Sequence, residues 1–335
     1  TICSLWKIPP IISIQEPLFG TINRIYLLIT AGETFVLRAT RFTAGKRERI
    51  NAEQAITAYV KTHGLPAITP IPLAHCPNEA IYEQAGQLFT LFPYAPGYQV
   101  PRQQLTLAHA SAMGEMLARL HQILAEYPHN QVPLRPLTIN LQATLVKIKQ
   151  LITVLQAKQE PEQLDICSLK KLQQRQSYLE HTLLTNPANA NTITFLDAPQ
   201  TIHGDYQEAN LFFTQSNSND RMVVSAIIDW EKVFVGPRTY EILRALNYCF
   251  QLKAEPTQAF LQAYCRLQAL SQQQLETAAK AYGKIMDANI WVYTDYYLEH
   301  NIRTKPLLRQ DPSDRFIPFA ETWEQVQTSF IASLH

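Results

Sequence analysis

The sequence predicts an α+β protein in two parts, an N-terminal antiparallel sheet carrying one helix and a larger, mainly helical C-terminal part. Strand-like residues surround a Gly-containing turn in residues 24–38, and strong helical periodicity begins at residue 107. A segment with Pro and Gly at residues 94–101 separates the two patterns. We therefore expect an N-terminal lobe of residues 1–95 and a C-terminal lobe of residues 96–335.

The N-terminal part is expected to contain a hairpin, a helix and a further strand. Residues 24–29 and 34–38 are rich in β-branched and aromatic side chains, and Gly32 lies in the turn that joins them. Residues 47–62 carry apolar side chains at approximately helical spacing. Residues 88–92 read as a strand that adds to the hairpin.

The C-terminal part opens with an amphipathic helix. Met113, Leu117, Leu120 and Leu124 recur at the spacing of one helical face, which predicts a buried helix over 107–124. The other elements expected in this part are Gln-rich helices at 137–156 and 168–184, short strands at 201–203 and 222–228, and helices with loops from 238 onward. The helices between about 138 and 190 form a candidate helical insertion.

Composition excludes several kinds of partner. Lys and Arg number 29 against 28 Asp and Glu, so no excess positive charge favours nucleic acid or an anionic membrane. Five scattered cysteines without a C-x-x-C pair indicate reduced thiols rather than a disulfide scaffold or zinc knuckle. The first residues lack the basic region of a signal peptide, and we expect a cytoplasmic protein of unknown oligomeric state.

Three polar residues, Asp205, Asn210 and Asp229, give the clearest indication of the chemistry. Asp205 follows His203-Gly204, Asn210 lies five residues later, and Asp229 ends an apolar strand nineteen residues after Asn210. Phosphoryl transfer from ATP requires an acceptor for the proton of the substrate hydroxyl and oxygen ligands for Mg²⁺, with little covalent chemistry from the protein. Two carboxylates and an amide at this spacing supply both, and oxygen-only ligands suit Mg²⁺ rather than zinc.

These residues resemble a known family. The run from His203 to Asn210, with Ile227-Ile228-Asp229-Trp230-Glu231 behind it, is similar to the catalytic loop and metal-binding segment of the aminoglycoside phosphotransferase and choline kinase superfamily, distant relatives of protein kinases. The resemblance implies a two-lobed protein-kinase-like fold. Further similar segments, in the family's order, are the nucleotide-covering hairpin at 20–26, the third strand at 35–38, and the hinge and following helix at 95–97 and 116–121.

The resemblance implies a role for each matching residue in the reaction. Asp205 is expected to orient and deprotonate the acceptor hydroxyl, and Asn210 and Asp229 to bind Mg²⁺. Arg38 takes the place of the strand lysine that holds the nucleotide phosphates, with Glu53 as its expected ionic partner. A solvent-exposed charge on the helix is the alternative for Glu53.

Other matching residues are expected to hold the nucleotide, ATP or GTP. Gly20 and Asn23 lie in the covering hairpin, although a plain turn before a strand explains them equally well. Val36 shares a face of its strand with the phosphate-binding arginine, so it is a candidate adenine contact. Phe92 and Tyr94 belong to the segment whose backbone is expected to bind adenine.

The chain departs from the family after the metal-binding Asp229. Relatives often have G-D-P-x-x-D-L-A in this region, whereas this chain lacks the first Asp and has Glu241 in place of the second. Both changes are expected to affect support of the catalytic loop rather than the chemistry. The cleft is expected to be acidic around the metal site and cationic only at Arg38. His121 is expected to be a packed residue.

The acceptor site has the weaker signal. Residues 287–300 are expected to form a helix that gathers aromatic and acidic side chains, and Asp287, Trp291 and Asp295 together with Trp230 are candidate acceptor contacts. Aromatic faces with carboxylates suit an amine-bearing acceptor, whereas few cationic residues are evident for an acidic one. The alternative is that these aromatic side chains pack within the helical lobe.

The function implied is transfer of the γ-phosphoryl group of ATP or GTP, with Mg²⁺, to a hydroxyl of a small molecule. Aminoglycosides, choline or ethanolamine, and homoserine-like compounds are acceptors of this type. The alternative is a nucleotide-binding pseudokinase without turnover, which the replacement of lysine by Arg38 and the altered loop after Asp229 favour. The intact set of Asp205, Asn210 and Asp229 favours the enzyme.

Overall fold

The computed structural model describes residues 1–16, 24–132, 135–216, 221–311 and 313–331. The chain divides into two compact units, one of Thr1–Arg135 with Pro199–Ala269 and one of Pro136–Ala198 with Leu270–His335. The division at residue 95 expected from the sequence is a different one and stays a prediction. No described helix is long and apolar enough to cross a membrane.

The first unit contains an antiparallel five-stranded sheet of order β1-β2-β3-β5-β4. Its strands are β1 (Ser13–Gln15), β2 (Arg24–Ile29), β3 (Thr34–Arg41), β4 (Ile81–Gln84) and β5 (Gln87–Pro93). The expected hairpin and the further strand are thus confirmed. Strand β1 was not predicted because its three residues are all exposed and give no apolar alternation.

The helices beside this sheet begin with the short α1 (Ile2–Trp6), which was not predicted. Helix α2 (Lys46–Thr62) matches its prediction within one residue and buries Ile50, Ile56 and Val60 on one face. The same face also buries Glu53, a carboxylate among apolar neighbours. Such a group requires a partner, and it has one in the site described below.

The rest of the first unit carries residues 203–210 and Asp229, the candidate site residues. Its elements are α3 (Leu107–Leu124), β6 (Gln200–Ile202), β7 (Leu211–Gln215), β8 (Met222–Ile227), β9 (Phe234–Gly236), α6 (Arg238–Phe250) and α7 (Ala254–Cys265). Strand β6 pairs with β9 and β7 with β8, both antiparallel. Gly114 of α3 lies so close to the Phe260 carbonyl of α7 that any Cβ would collide with it, which lets these two helices pack tightly.

The second unit consists of helices α4 (Leu141–Gln156), α5 (Gln163–Thr185), α8 (Gln272–Ala288), α9 (Trp291–Tyr297) and α10 (Phe319–Ile331). Helix α4 begins later than predicted because the Asn140 side chain accepts the N–H of Ala143 and caps it there. Helix α5 begins earlier because Glu162 and Asp165 form a capping box.

The α+β class expected from the sequence is confirmed, with an antiparallel sheet toward the N-terminus and mainly helices after it. The prediction of a single helix over residues 287–300 was wrong. The chain breaks between α8 and α9, where the Asn289 side chain accepts the N–H of Trp291. Asn is well suited to such a local bond, and it competes with continuation of the helix.

Burial of Asp287 in the second unit makes the stability of the protein depend on pH. Burial raises the pKa of Asp287 from 3.8 to about 6, although the Phe319 N–H donates to its Oδ1 at 2.9 Å. A raised carboxyl pKa favours the protonated form in the folded state. Its stabilising contribution is therefore complete below about pH 4 and is lost as pH rises through 6.

We predict that Asp287→Asn raises the free energy of unfolding by about 1–3 kcal/mol at pH 8, and by much less at pH 5. Asn keeps the acceptor for Phe319 but cannot ionise. Thermal unfolding midpoints at both pH values measure the difference, with exposed Glu160→Gln as the control. A gain from Asp287→Asn that is equal at pH 5 and pH 8 would contradict the prediction.

Candidate active site

The chain turns sharply after β6, where residues 203–210 begin. Gly204 has φ of 79°, a left-handed conformation, and its Cα lies against the carbonyl of Lys232 where a Cβ would collide. Only glycine meets both requirements without strain. The turn places Asp205 at 2% exposure directly after it.

His203 fastens this segment to the end of β8. Burial lowers the pKa of His203, so the imidazole is neutral. Its Nδ1 accepts the N–H of Asp205 at 3.3 Å, which leaves Nε2 to donate to the Ile228 carbonyl at 3.1 Å. The imidazole therefore joins the backbone of Asp205 to the residue after β8, next to Asp229.

Glu241 of α6 holds the same segment from the other side. Its carboxylate accepts the N–H of Gly204 at 2.5 Å and the N–H of His203 at 3.2 Å. Burial alone would raise the pKa of Glu241, but its hydrogen bond with His121 and the backbone bonds lower it, so the group is ionised. His121 is 1% exposed and also bonds the Tyr264 hydroxyl, which confirms its packed role.

Asp205 is held by two cations. Lys232 Nζ lies 2.7 Å from its Oδ2, and Arg244 of α6 binds its Oδ1. Burial alone would raise the pKa of Asp205, but Arg244 and Lys232 outweigh burial and lower it. The expectation that Arg38 is the only cation of this site was wrong, because two residues distant in sequence converge on the carboxylate.

Asn210 and Asp229 are neighbours across β7 and β8. The Asn210 side chain donates from Nδ2 to the Asp205 carbonyl at 2.8 Å, so its Oδ1 is the atom suited to a metal ion. The Ile228 N–H donates to the Asn210 carbonyl at 3.0 Å, and Asp229 is the next residue. Asp229 has φ of 62°, a left-handed conformation that Asp tolerates better than most residues.

The charge around Asp229 fits a cation. Burial, with repulsion from Glu231, Asp205 and Glu53, raises the pKa of Asp229 to about 6. In the part of the chain that the structure describes, no group of three or more His, Cys, Asp or Glu side chains could hold a metal ion. Mg²⁺ commonly takes only one or two protein oxygens, with phosphates and water for the rest. Asp229 and Asn210 meet that requirement.

Arg38 and Glu53 form a buried bidentate ion pair. The guanidinium Nη1 and Nη2 donate to the two carboxylate oxygens at 2.9 and 2.6 Å, and both side chains are less than one-tenth exposed. The expected pairing of β3 with α2 is therefore present, and Glu53 is not a solvent-exposed charge. The guanidinium also lies 5.0 Å from the centre of the Phe92 ring.

The other nucleotide candidates occupy the sheet and the segment after it. Val36 of β3 faces Phe92 of β5 in register, and both are half-buried. The Tyr94 ring is exposed and packs edge-on against Phe212 at 6.3 Å, while the Tyr94 N–H donates to the Thr34 carbonyl. The Tyr94 N–H is thus occupied within the sheet. Gly20 and Asn23 lie outside the described residues.

Trp230 lies in the interior of the first unit. It is 2% exposed, its indole N–H donates to the Ile227 carbonyl at 3.2 Å, and its ring packs on His203 at 4.6 Å. These contacts fix the backbone beside Asp229. Contact of Trp230 with an acceptor stays a prediction.

The other three acceptor candidates lie in the second unit. Asp287 is buried at 6% exposure, and Asp295 accepts from the Asn301 side chain at 2.8 Å. Trp291 is exposed and lines a cavity of about 320 Å³ between α4 and α9. The structure gives the two acids local partners, and the acceptor roles of all three stay predictions.

Sequence reasoning missed Lys232 and Arg244. A signal for Lys232 was its place three residues after Asp229 on the same loop. A signal for Arg244 was its spacing of three residues from Glu241 on a helix, which puts both side chains on one face. Because Glu241 was expected to support the loop that carries Asp205, a residue on the same helical face could be expected to contact that loop as well.

Known proteins with similar folds include a spectinomycin phosphotransferase and an amicoumacin kinase. Spectinomycin phosphotransferase APH(9)-Ia, in complex with ADP and spectinomycin, has a TM-score of 0.68 at 14% identity, covering 99% of this chain and 96% of that one. Amicoumacin kinase hAmiN, with AMP-PNP, Ca²⁺ and Ami, has a TM-score of 0.59 at 14% identity over 93% of each chain. At this identity the likeness shows a shared fold, the protein-kinase-like fold of these enzymes.

A third similar structure is an aminoglycoside phosphotransferase from Alicyclobacillus acidocaldarius, with a TM-score of 0.57 at 14% identity over 96% of this chain and 91% of that one. No curated protein matches the chain by sequence. The family model of the phosphotransferase enzyme family matches residues 13–279, a range that includes the sheet and the segments carrying Asp205, Asn210 and Asp229. The chain belongs to the phosphotransferase enzyme family, as the resemblance of its catalytic segment predicted.

Proposed function

We propose that the chain transfers the γ-phosphoryl group of ATP or GTP to a hydroxyl of a small molecule in a Mg²⁺-dependent reaction. The observation that carries this proposal is the convergence of Asp205, Asn210 and Asp229 through the hydrogen bonds of one buried loop. One similar protein was solved with ADP and another with AMP-PNP and Ca²⁺, which supports use of a nucleotide and a divalent cation. All five cysteines are free thiols, which suits the cytoplasmic location we expect.

Asp205 has the charge state that the reaction requires. Its pKa lies below the ordinary value, so it is ionised at neutral pH and can accept a hydrogen bond from the acceptor hydroxyl. The hydroxyl oxygen attacks the γ-phosphorus, the bond from that phosphorus to the β,γ-bridging oxygen breaks, and the hydroxyl proton passes to the carboxylate. A weakly basic carboxylate suits a loose transition state, in which the proton leaves late.

The nucleotide is proposed to lie between β3 and the loop after β8. Arg38, fixed by Glu53, is the proposed phosphate contact, and Val36, Phe92 and Tyr94 the proposed adenine contacts. Bound between Asn210 and Asp229, Mg²⁺ would neutralise phosphate charge. Gly20 and Asn23 retain their proposed place in the covering hairpin.

The proposal is limited to a hydroxyl acceptor. An amine on that acceptor, favoured by the sequence through Trp230, Asp287, Trp291 and Asp295, stays a prediction. The buried positions of Trp230 and Asp287 give it no additional support.

We predict that Asp205→Ala lowers kcat by about 10²–10⁴-fold while nucleotide affinity changes little, since the carboxylate acts on the acceptor and not on the nucleotide. ATP consumption over a panel of hydroxyl compounds and nucleotide titration measure the two effects. The exposed Glu126→Gln is the control. Wild-type turnover in Asp205→Ala would refute the assignment, and a wild-type protein that binds nucleotide but consumes none would favour the pseudokinase.

We predict that Asp229→Asn weakens binding of Mg·ATP by at least about tenfold while binding of metal-free ATP changes little, because the variant loses a charged oxygen ligand. Asn has the same shape and tolerates the left-handed backbone, so the fold is preserved. Calorimetric titration with and without Mg²⁺ measures the difference. An unchanged effect of Mg²⁺ on affinity would remove Asp229 from the metal site.

We predict that Glu241→Gln lowers stability by about 2–4 kcal/mol, because an amide cannot accept both backbone N–H groups with full charge in a buried site. As a positioning residue, Glu241 should affect kcat more than the KM for ATP. Glu241→Asp keeps the charge and should recover much of both losses. Equal damage to kcat and to nucleotide KM, with no recovery in Glu241→Asp, would indicate a purely structural role.

A further inference from the structure

The first unit contains a cavity of about 520 Å³, and one of its lining residues is Lys232, a cation that contacts Asp205. Its walls come from the first half of α2, the loop after α3 and the segment that follows Asp229. The volume is in the range of small-molecule sites. Its charged lining residues are Lys46, Arg49, Glu53, Arg135, Glu231 and Lys232.

The two acids of this lining are already neutralised. Glu53 forms the bidentate pair with Arg38, and Glu231 lies 3.3 Å from Lys46. Neither carboxylate is therefore available to hold a cationic ligand without losing its present partner.

Two arginines of the lining have no acidic partner among the residues that the structure describes. Arg49 is exposed near the start of α2, and Arg135 is exposed with its guanidinium 5.8 Å from the centre of the Phe234 ring. The cavity thus presents a net positive surface. An ammonium group placed in it would be repelled, whereas an anion would be attracted.

Lys232 connects this surface to the proposed reaction centre. Its side chain is 41% exposed and lines the cavity, while its Nζ lies 2.7 Å from Asp205 Oδ2. Lys232 thus borders both the cavity with the two arginines and the carboxylate on which the acceptor hydroxyl is proposed to lie.

We propose that the acceptor carries, besides its hydroxyl, an anionic group, a carboxylate or a phosphate, which Arg49 and Arg135 bind. The inference rests on the proposed function, since it places the acceptor at Asp205. The planar guanidinium fork binds carboxylate and phosphate oxygens in pairs, so both groups share this chemistry. This inference differs from the sequence-based prediction of an amine-bearing acceptor, and the turnover experiment below distinguishes the two.

The first experiment measures anion binding without turnover. The nucleotide site is first saturated with Mg·AMP-PNP. Inorganic sulfate, which stands in for a phosphate group, and malonate, which stands in for a carboxylate, are then titrated calorimetrically at low ionic strength. At least one probe should bind in the millimolar range or better and weaken as salt is added. No binding of either probe would overturn the inference.

Variants of the two arginines locate the binding. The double variant Arg49→Ala/Arg135→Ala should lower the affinity for the probe by about tenfold or more, with little change in affinity for Mg·AMP-PNP. Arg266→Ala, an exposed arginine of the same unit outside the cavity, is the matched control and should change neither. Unchanged probe affinity in the double variant, or an equal loss of nucleotide affinity, would overturn the inference.

Turnover tests the acceptor itself. ATP consumption is compared for anionic hydroxyl compounds, glycerate and glycerol 3-phosphate, for neutral glycerol, and for cationic choline and ethanolamine. Higher kcat/KM for an anionic compound supports the inference, and higher kcat/KM for a cationic one overturns it. If none of these compounds supports ATP consumption but the probes still bind, the result would count against the proposed function and would still support the anion site.

Discussion

The backbone of the loop that carries Asp205 depends on the buried carboxylate of Glu241. This carboxylate is fully buried, and it accepts the backbone N–H groups of His203 and Gly204, which have no strand partner at this turn. Two buried N–H groups without an acceptor would cost several kcal/mol, and the turn would relax. The position of Asp205 follows from that bond, and the positions of Asn210 and Asp229 follow from their bonds to the same loop.

The two aspartates of the site are given opposite electrostatic surroundings. Asp205 faces Lys232 and Arg244, which keep its carboxylate ionised against the effect of burial. Asp229 is buried near other carboxylates, and burial together with their charge raises its pKa to about 6. The first group is held ready to accept a hydrogen bond, and the second lies where added positive charge is most favourable. Environment, rather than residue type, separates their proposed roles.

Periodicity and motif spacing predicted the hairpin, α2, α3, the α+β class and the family, because each depends on local pattern. Strand β1 and the break between α8 and α9 were not predicted, since an exposed edge strand and an Asn cap leave little trace in hydrophobic periodicity. The pairing of Arg38 with Glu53 was predicted from the resemblance to the family. Lys232 and Arg244 were missed because their convergence on Asp205 depends on tertiary structure.

The left-handed backbone at Asp229 restricts which residues evolution can place there. A longer acid such as glutamate retains the charge but lacks the short side chain that makes φ of 62° tolerable for Asp and Asn. Position 229 therefore has two requirements: the proposed metal role needs a side-chain oxygen, and the backbone needs a residue that tolerates a positive φ. In descendants that lose the proposed activity only the backbone requirement remains, so asparagine or glycine is the residue expected at this position.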